Sequence, residues 1–186
     1  MFIQTEQTPN PASLKFLPGC EVVSSGVAEF RDAGAAEKAS PLAVRLFKIP
    51  GVEGVFFGGD FVTVTRAGDF DWSLLKPQIL ATLMEHFSTG QPVLFEERPA
   101  PAPSSASEDD DEIVKQIKEL LDTRVRPVVA ADGGDIVYHS FEGGIVYLTM
   151  RGACAGCPSS TATLKNGIEN LLKHFIPEVV EVRAVN

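Results

Sequence analysis

"GIVYLTMRGACAGCPSSTATLKNGIENLLKHF", residues 144–175, joins a β-rich run, a turn carrying two cysteines and a helical repeat without interruption. The opening residues are mostly β-branched or aromatic, which predicts a strand. From Thr161 onward, Leu164, Ile168, Leu171, Leu172 and Phe175 fall on one face at helical spacing. Between these two periodicities stand Cys154 and Cys157, three positions apart, with Gly152 and Gly156 beside them and Pro158 after them. Glycine and proline make this stretch a poor core element, so a turn is expected ahead of the other reading, two buried small hydrophobes.

Neighbouring segments complete a small α+β unit. "DIVYHS" precedes the first run and is joined to it by "FEGG", a hairpin signal. Farther upstream, Ile113, Ile117, Leu120 and Leu121 form an apolar helical stripe. Ser107 lies three residues before Asp110, as in a capping box, and acids fill the first turn. "PEVVEVRAV" closes the chain as a strand. The expected order is α, β, β, α, β, with helices on one face of a small sheet.

Before this unit runs "RPAPAPSSASEDDDE", residues 98–112, with no large apolar residue, alternating prolines and then acids. Such a composition buries too little surface to offset its ordering entropy and predicts a flexible tether. The segment before it reads β, β, α, β, β, α. "FIQTEQT" and "SLKFLP" flank a "PNP" turn, and "SPLAVRLFKIPG" is a capped helix. "VEGVFFGGDFVTVTRAGD" is a hairpin around Gly58 and Gly59. "DWSLLKPQILATLMEHF" carries Leu75, Ile79, Leu83 and Phe87 at helical spacing, with Pro77 near its beginning. The expected organisation is thus two small α+β domains, 1–98 and 110–186, joined by a linker over 99–109.

A net charge of −9 opposes unspecific binding to nucleic acid or anionic lipid. No apolar run reaches the length of a membrane span. Residues 1–16 show neither a secretory signal nor an Arg-rich transit pattern, and the three cysteines do not form a secreted disulfide framework. The expectation is a reducing compartment, the cytoplasm, and protein partners.

The i, i+3 spacing lets both sulfurs of Cys154 and Cys157 reach one centre, and the positive end of the following helix is expected to favour thiolate. Three chemistries share this geometry. A dithiol–disulfide oxidoreductase places such a pair at a helix N-terminus, but usually with proline inside it and a βαβ pattern around it. A closed zinc site needs four ligands. His139 and His174 lack ligand spacing to the pair, and Cys20 belongs to the other domain. Two copies of the chain supply four thiolates, enough for a [4Fe–4S] cluster bridging a homodimer.

"RPVVAADGGDI", "RGACAGCPSSTATLKNGIENLL" and "PEVVEV" together resemble the NifU-like domain of Nfu-type iron–sulfur cluster carriers. "TPNPASLKFLPG", "SPLAVRLFKIPGVEGVFFGGDFVTVT" and "DWSLLKPQI" are similar to the Nfu N-terminal domain. The resemblance implies that Cys154 and Cys157 bind the cluster as its metal ligands. It also implies a carrier rather than an enzyme, with apo iron–sulfur proteins as acceptors and an upstream scaffold as donor. The N-terminal domain is then expected to recognise partners. In Asp132–Ile136, "DGGDI", the glycines are expected to turn the chain into a strand, a role preferred to ligation by Asp132 or Asp135.

Overall fold

The computed structural model describes residues 1–95, 111–155 and 158–185, and the chain divides into two compact units, Met1–Ala100 and Pro101–Asn186. The expected linker, residues 99–109, and the capping box of Ser107 and Asp110 lie outside the described residues. Both units combine helices with a mainly antiparallel sheet, so the fold class is α+β. No described helix is long and apolar enough to cross a membrane.

The first unit is built on β1 (Gln4–Gln7), β2 (Ser13–Leu17), β3 (Ala28–Phe30), β4 (Val52–Phe57) and β5 (Val62–Arg66). They lie in the order β1-β2-β5-β4-β3, every pair antiparallel. The "TPNP" turn between β1 and β2 is held by its own side chains: Asn10 Oδ1 accepts from the Ala12 N–H at 3.0 Å, and Thr8 Oγ1 donates to the Asn10 carbonyl at 2.8 Å. Helices α1 (Ala33–Ala39), α2 (Pro41–Phe47) and α3 (Trp72–Ser88) complete the unit. Leu42, Leu46, Leu75, Ile79 and Leu83 are fully buried in one core with Phe16, Val55, Phe57, Val62 and Val64. Each such side chain contributes about 1.5–3 kcal/mol by leaving water.

Three details of this unit differ from the sequence reading. β3 is three residues long and exists through its pairing with β4, so it leaves no periodic trace in the sequence. α1 is alanine-rich and buries only Ala36, which gives no apolar stripe to read; its start is set by Asp32, whose side chain accepts from the Ala35 N–H at 2.8 Å. Pro77 is the sixth residue of α3, past the first turn, so the helix forgoes the bond that position 77 would donate to Ser73.

The second unit contains α4 (Glu112–Leu120), a π turn (Leu121–Val125), α5 (Arg126–Ala131), β6 (Gly134–Glu142), β7 (Ile145–Gly152), α6 (Pro158–Phe175) and β8 (Glu181–Val185). "RVRPVVAADGG", to which the sequence reading assigned no element, is therefore helical as far as Ala131. Pro127 cannot donate to the preceding turn, and the π turn just before it re-phases the chain so that helical structure continues. β6 and β7 are an antiparallel hairpin, and β8 returns parallel to β7 after α6. Along β7, Val146, Leu148 and Met150 alternate inward and meet Ile117, Leu121, Val129, Ile168 and Leu172 from the helices. One face of the sheet is thereby covered by helices, as the element order implies.

Candidate metal centre

β7 ends at Gly152, whose φ of +63° turns the chain sharply. The next two residues then run back beneath the start of β6. Ala153 donates its N–H to the Gly133 carbonyl at 3.1 Å, and Ala155 donates to the Gly152 carbonyl at 3.1 Å. From the first turn of α6, Thr161 Oγ1 donates to the Cys154 carbonyl at 3.2 Å. Three separate elements thus fix the backbone that presents Cys154.

The Cys154 side chain is buried, 6% exposed, within the core of the second unit. Burial pushes its thiol pKa up to about 12, and the charges of Asp132 and Asp135 add to the shift. The expectation that the α6 dipole favours thiolate thus meets an opposing effect at this cysteine. Desolvation and the two nearby carboxylates both oppose the thiolate form here. Cys157 and Gly156 lie outside the described residues.

Gly133 and Gly134 serve the turn in different ways. Gly133 has a φ of +82° and makes the bend from α5 into β6. Gly134 is already strand, paired with Gly152 across the hairpin. A Cβ at position 134 would stand 2.6 Å from Cys154 Sγ and 2.7 Å from the Arg151 carbonyl oxygen. The first glycine is needed for conformation and the second for room.

Asp135 follows, 4% exposed, and both its oxygens are held by Arg126: Nε to Oδ1 at 2.9 Å and Nη2 to Oδ2 at 3.0 Å. Arg126 also reaches Asp122 at 3.3 Å, one helical turn back. The Asp135 hydrogen bonds lead the causes that raise the Arg126 pKa. With its carboxylate engaged in this way, Asp135 is a structural anchor, and Asp132 is the C-cap of α5. Sequence reading singled out neither Arg126 nor the contact role of Gly134. The i, i+4 spacing of Asp122 and Arg126 is a legible signal, as is a second glycine where a turn needs one.

The other sulfur and nitrogen candidates stand apart. His139 is exposed and its Nδ1 meets Ser140 Oγ at 3.2 Å. His174 is exposed near the end of α6 and stacks edge-on against Phe175. Cys20 is exposed in the first unit. Among the described residues no group of three or more His, Cys, Asp or Glu side chains could hold a metal ion.

Fold and site together define a two-unit α+β protein whose second unit seats Cys154 between a strand and a helix. A family model described as "Scaffold protein Nfu/NifU N terminal" matches residues 3–90, and one described as "NifU-like domain" matches residues 117–183. The human protein named "NFU1 iron-sulfur cluster scaffold homolog, mitochondrial" is 54% identical over 186 residues, which cover 100% of this chain and 72% of that protein. The Drosophila persimilis protein of the same name is 53% identical, with 100% of this chain and 65% of that protein covered. This chain therefore belongs to the Nfu/NifU scaffold protein family. Among solved structures, a solution NMR structure of a NifU-like protein from Saccharomyces cerevisiae aligns with 52% of this chain and 86% of its own, at 30% identity and a TM-score of 0.45.

These relatives are named as mitochondrial, which overturns the expectation of a cytoplasmic location. The inference from cysteine usage pointed to a reducing compartment, a property that does not single out the cytoplasm. The inference from residues 1–16 rested on a missing signal in a chain that spans 65% and 62% of two of its Drosophila relatives, where a missing signal carries no weight.

Proposed function

We propose that this chain carries an iron–sulfur cluster as cargo, bound by Cys154 and Cys157 and transferred to apo-proteins. The cluster is a [4Fe–4S] unit shared between two copies of the chain. The carrying observation is the ligand count: the cysteine turn offers two sulfurs, while no other described cluster of donors could hold a metal. Two copies reach the four thiolates that a cubane cluster needs. The names of the relatives, iron–sulfur cluster scaffold homologues, support the same class of cargo.

Each cysteine gives up its thiol proton on binding iron and recovers one when an acceptor's thiolate replaces it. A cluster held half by each subunit is open to such exchange, which makes it a carried group rather than a resident one. Residues 1–98 recognise donor scaffolds and acceptors, residues 99–109 tether, and residues 110–186 hold the cluster. Tethering keeps the cluster unit at a high effective concentration near a docked client. The burial of Cys154, 6% exposed, restricts the approach of an external disulfide, which disfavours the dithiol–disulfide oxidoreductase reading.

Anaerobic reconstitution with iron and sulfide tests the proposal. It should give a brown dimer absorbing near ~400 nm with about four irons per pair of chains. An iron-free, colourless monomer after the same treatment would sink it.

A further inference from the structure

We propose that Gly134 is a positioning residue for the cysteine turn, its missing side chain forming the seat in which the Cys154 sulfur rests. This rests on the reading of Cys154 as a cluster ligand. Gly134 has no positive φ and lies in regular strand pairing, so conformational need does not explain a glycine there. The space does. An added Cβ would come within 2.6 Å of Cys154 Sγ, 2.7 Å of the Arg151 carbonyl oxygen and 3.1 Å of the Cys154 nitrogen.

What must yield in that conflict follows from the surrounding bonds. On the β6 side, the next residue, Asp135, is clamped by Arg126. On the β7 side, Ala153 is bonded to Gly133, and Gly134 pairs with Gly152. Both backbones are therefore restrained on either side of the seat. The Cys154 sulfur yields by rotation about χ1, whereas the 2.7 Å approach to the Arg151 carbonyl oxygen is relieved only by a small shift of the restrained backbone. A side chain at position 134 thus expels the thiol from its seat and changes where its sulfur stands relative to the rest of the turn. Gly134 acts on the metal site through Cys154, as residues behind a ligand commonly do.

The test compares the full-length wild type with Gly134→Ala and Gly167→Ala, the last being a site where an added Cβ meets nothing within 4 Å. Iodoacetamide labelling of the metal-free proteins is resolved cysteine by cysteine with tandem mass spectrometry. Cys154 should label severalfold faster in Gly134→Ala than in wild type, and at the wild-type rate in Gly167→Ala. After reconstitution, Gly134→Ala should bind iron about ten- to hundredfold more weakly. Wild-type labelling together with full iron binding in Gly134→Ala would overturn the proposal. Should Gly134→Ala fail to fold, the wild type alone decides: its seated Cys154 should label severalfold more slowly than exposed Cys20, and equal rates refute the seat. The labelling result does not depend on iron, so a wild type that binds no cluster would defeat the proposed function and leave the seat standing.

Discussion

Arg126 grips Asp135 with two parallel bonds, Nε–Oδ1 at 2.9 Å and Nη2–Oδ2 at 3.0 Å, across the junction between α5 and β6. The Asp135 side chain is almost wholly buried, while that of Arg126 keeps 23% of its surface exposed. Gly133 and Gly134 lie within the stretch that this pair closes, Gly133 bonded to Ala153 and Gly134 against Cys154. The pair therefore joins the re-phased helix to the strand that floors the cysteine turn.

Breaking the pair from the arginine side should cost more than trimming its edge. Arg126→Ala leaves a buried carboxylate without its partner and is expected to lower stability by about 3 kcal/mol, as for other uncompensated buried charges. Asp122→Ala removes only the longer, partly exposed contact at 3.3 Å, and its cost should stay under about 1 kcal/mol. Urea denaturation of both variants, followed by far-ultraviolet circular dichroism, checks the ranking. Equal losses would show that the clamp does not anchor the junction.

Ser40 is fully buried and ends one helix while starting the next. Its hydroxyl donates to the Val93 carbonyl at 2.5 Å and accepts the Ala43 N–H at 3.0 Å. Ser40→Ala removes a helix cap and strands a carbonyl, so a loss of about 2–3 kcal/mol is expected. Ser40→Thr retains the hydroxyl and should lose less. Thermal melts of the two variants distinguish a hydrogen-bonding role from simple packing.

His86 is fully buried on α3, and neither ring nitrogen makes a hydrogen bond of good geometry. Burial, with the nearby Arg45 charge, holds its pKa below the ordinary 6.5, although the Pro92 and Gln91 backbone pulls the other way. The unfolded chain then binds more protons than the folded one as the pH falls below about 6.5, and stability declines in that direction. Above this value the contribution is constant. His86→Leu should flatten the stability profile on the acid side of 6.5. If urea midpoints of wild type and variant run parallel through that range, His86 is not the titrating group.

Cys154→Ala and Cys157→Ala should each abolish iron binding while leaving circular dichroism close to wild type. For Cys154 this follows from its environment: thirteen other buried residues among those described form the same core, so one small side chain is a minor part of it. A loss of about 1–2 kcal/mol is expected for the Cys154 variant, from lost contacts alone. Collapse of the second unit in either variant would indicate a structural metal instead of cargo.

Long periodic segments were legible before any coordinates. Leu75, Ile79 and Leu83 announce α3, and Ile168 and Leu172 announce α6, because a helix with one buried face must repeat at its own pitch. β3 and α1 were not legible, since a strand of three residues and a helix burying one alanine carry too few positions to show a period. The π turn escaped for another reason: proline at position 127 signals a helix end, and only the widened turn before it lets the helix continue.

For the cysteine turn, the division is equally physical. The residue types and their spacing in "RGACAGCPSS" depend on the chain alone, and they restrict the chemistry to thiol or metal work and the ligand count to half a site. The state of Cys154 depends on what surrounds it. Its burial, its thiol pKa of about 12 and its contact with Gly134 arise from residues some twenty positions apart brought together by the β6–β7 pairing. Desolvation and steric exclusion act through space, so the order of residues could name the ligand, and only the folded chain could seat it.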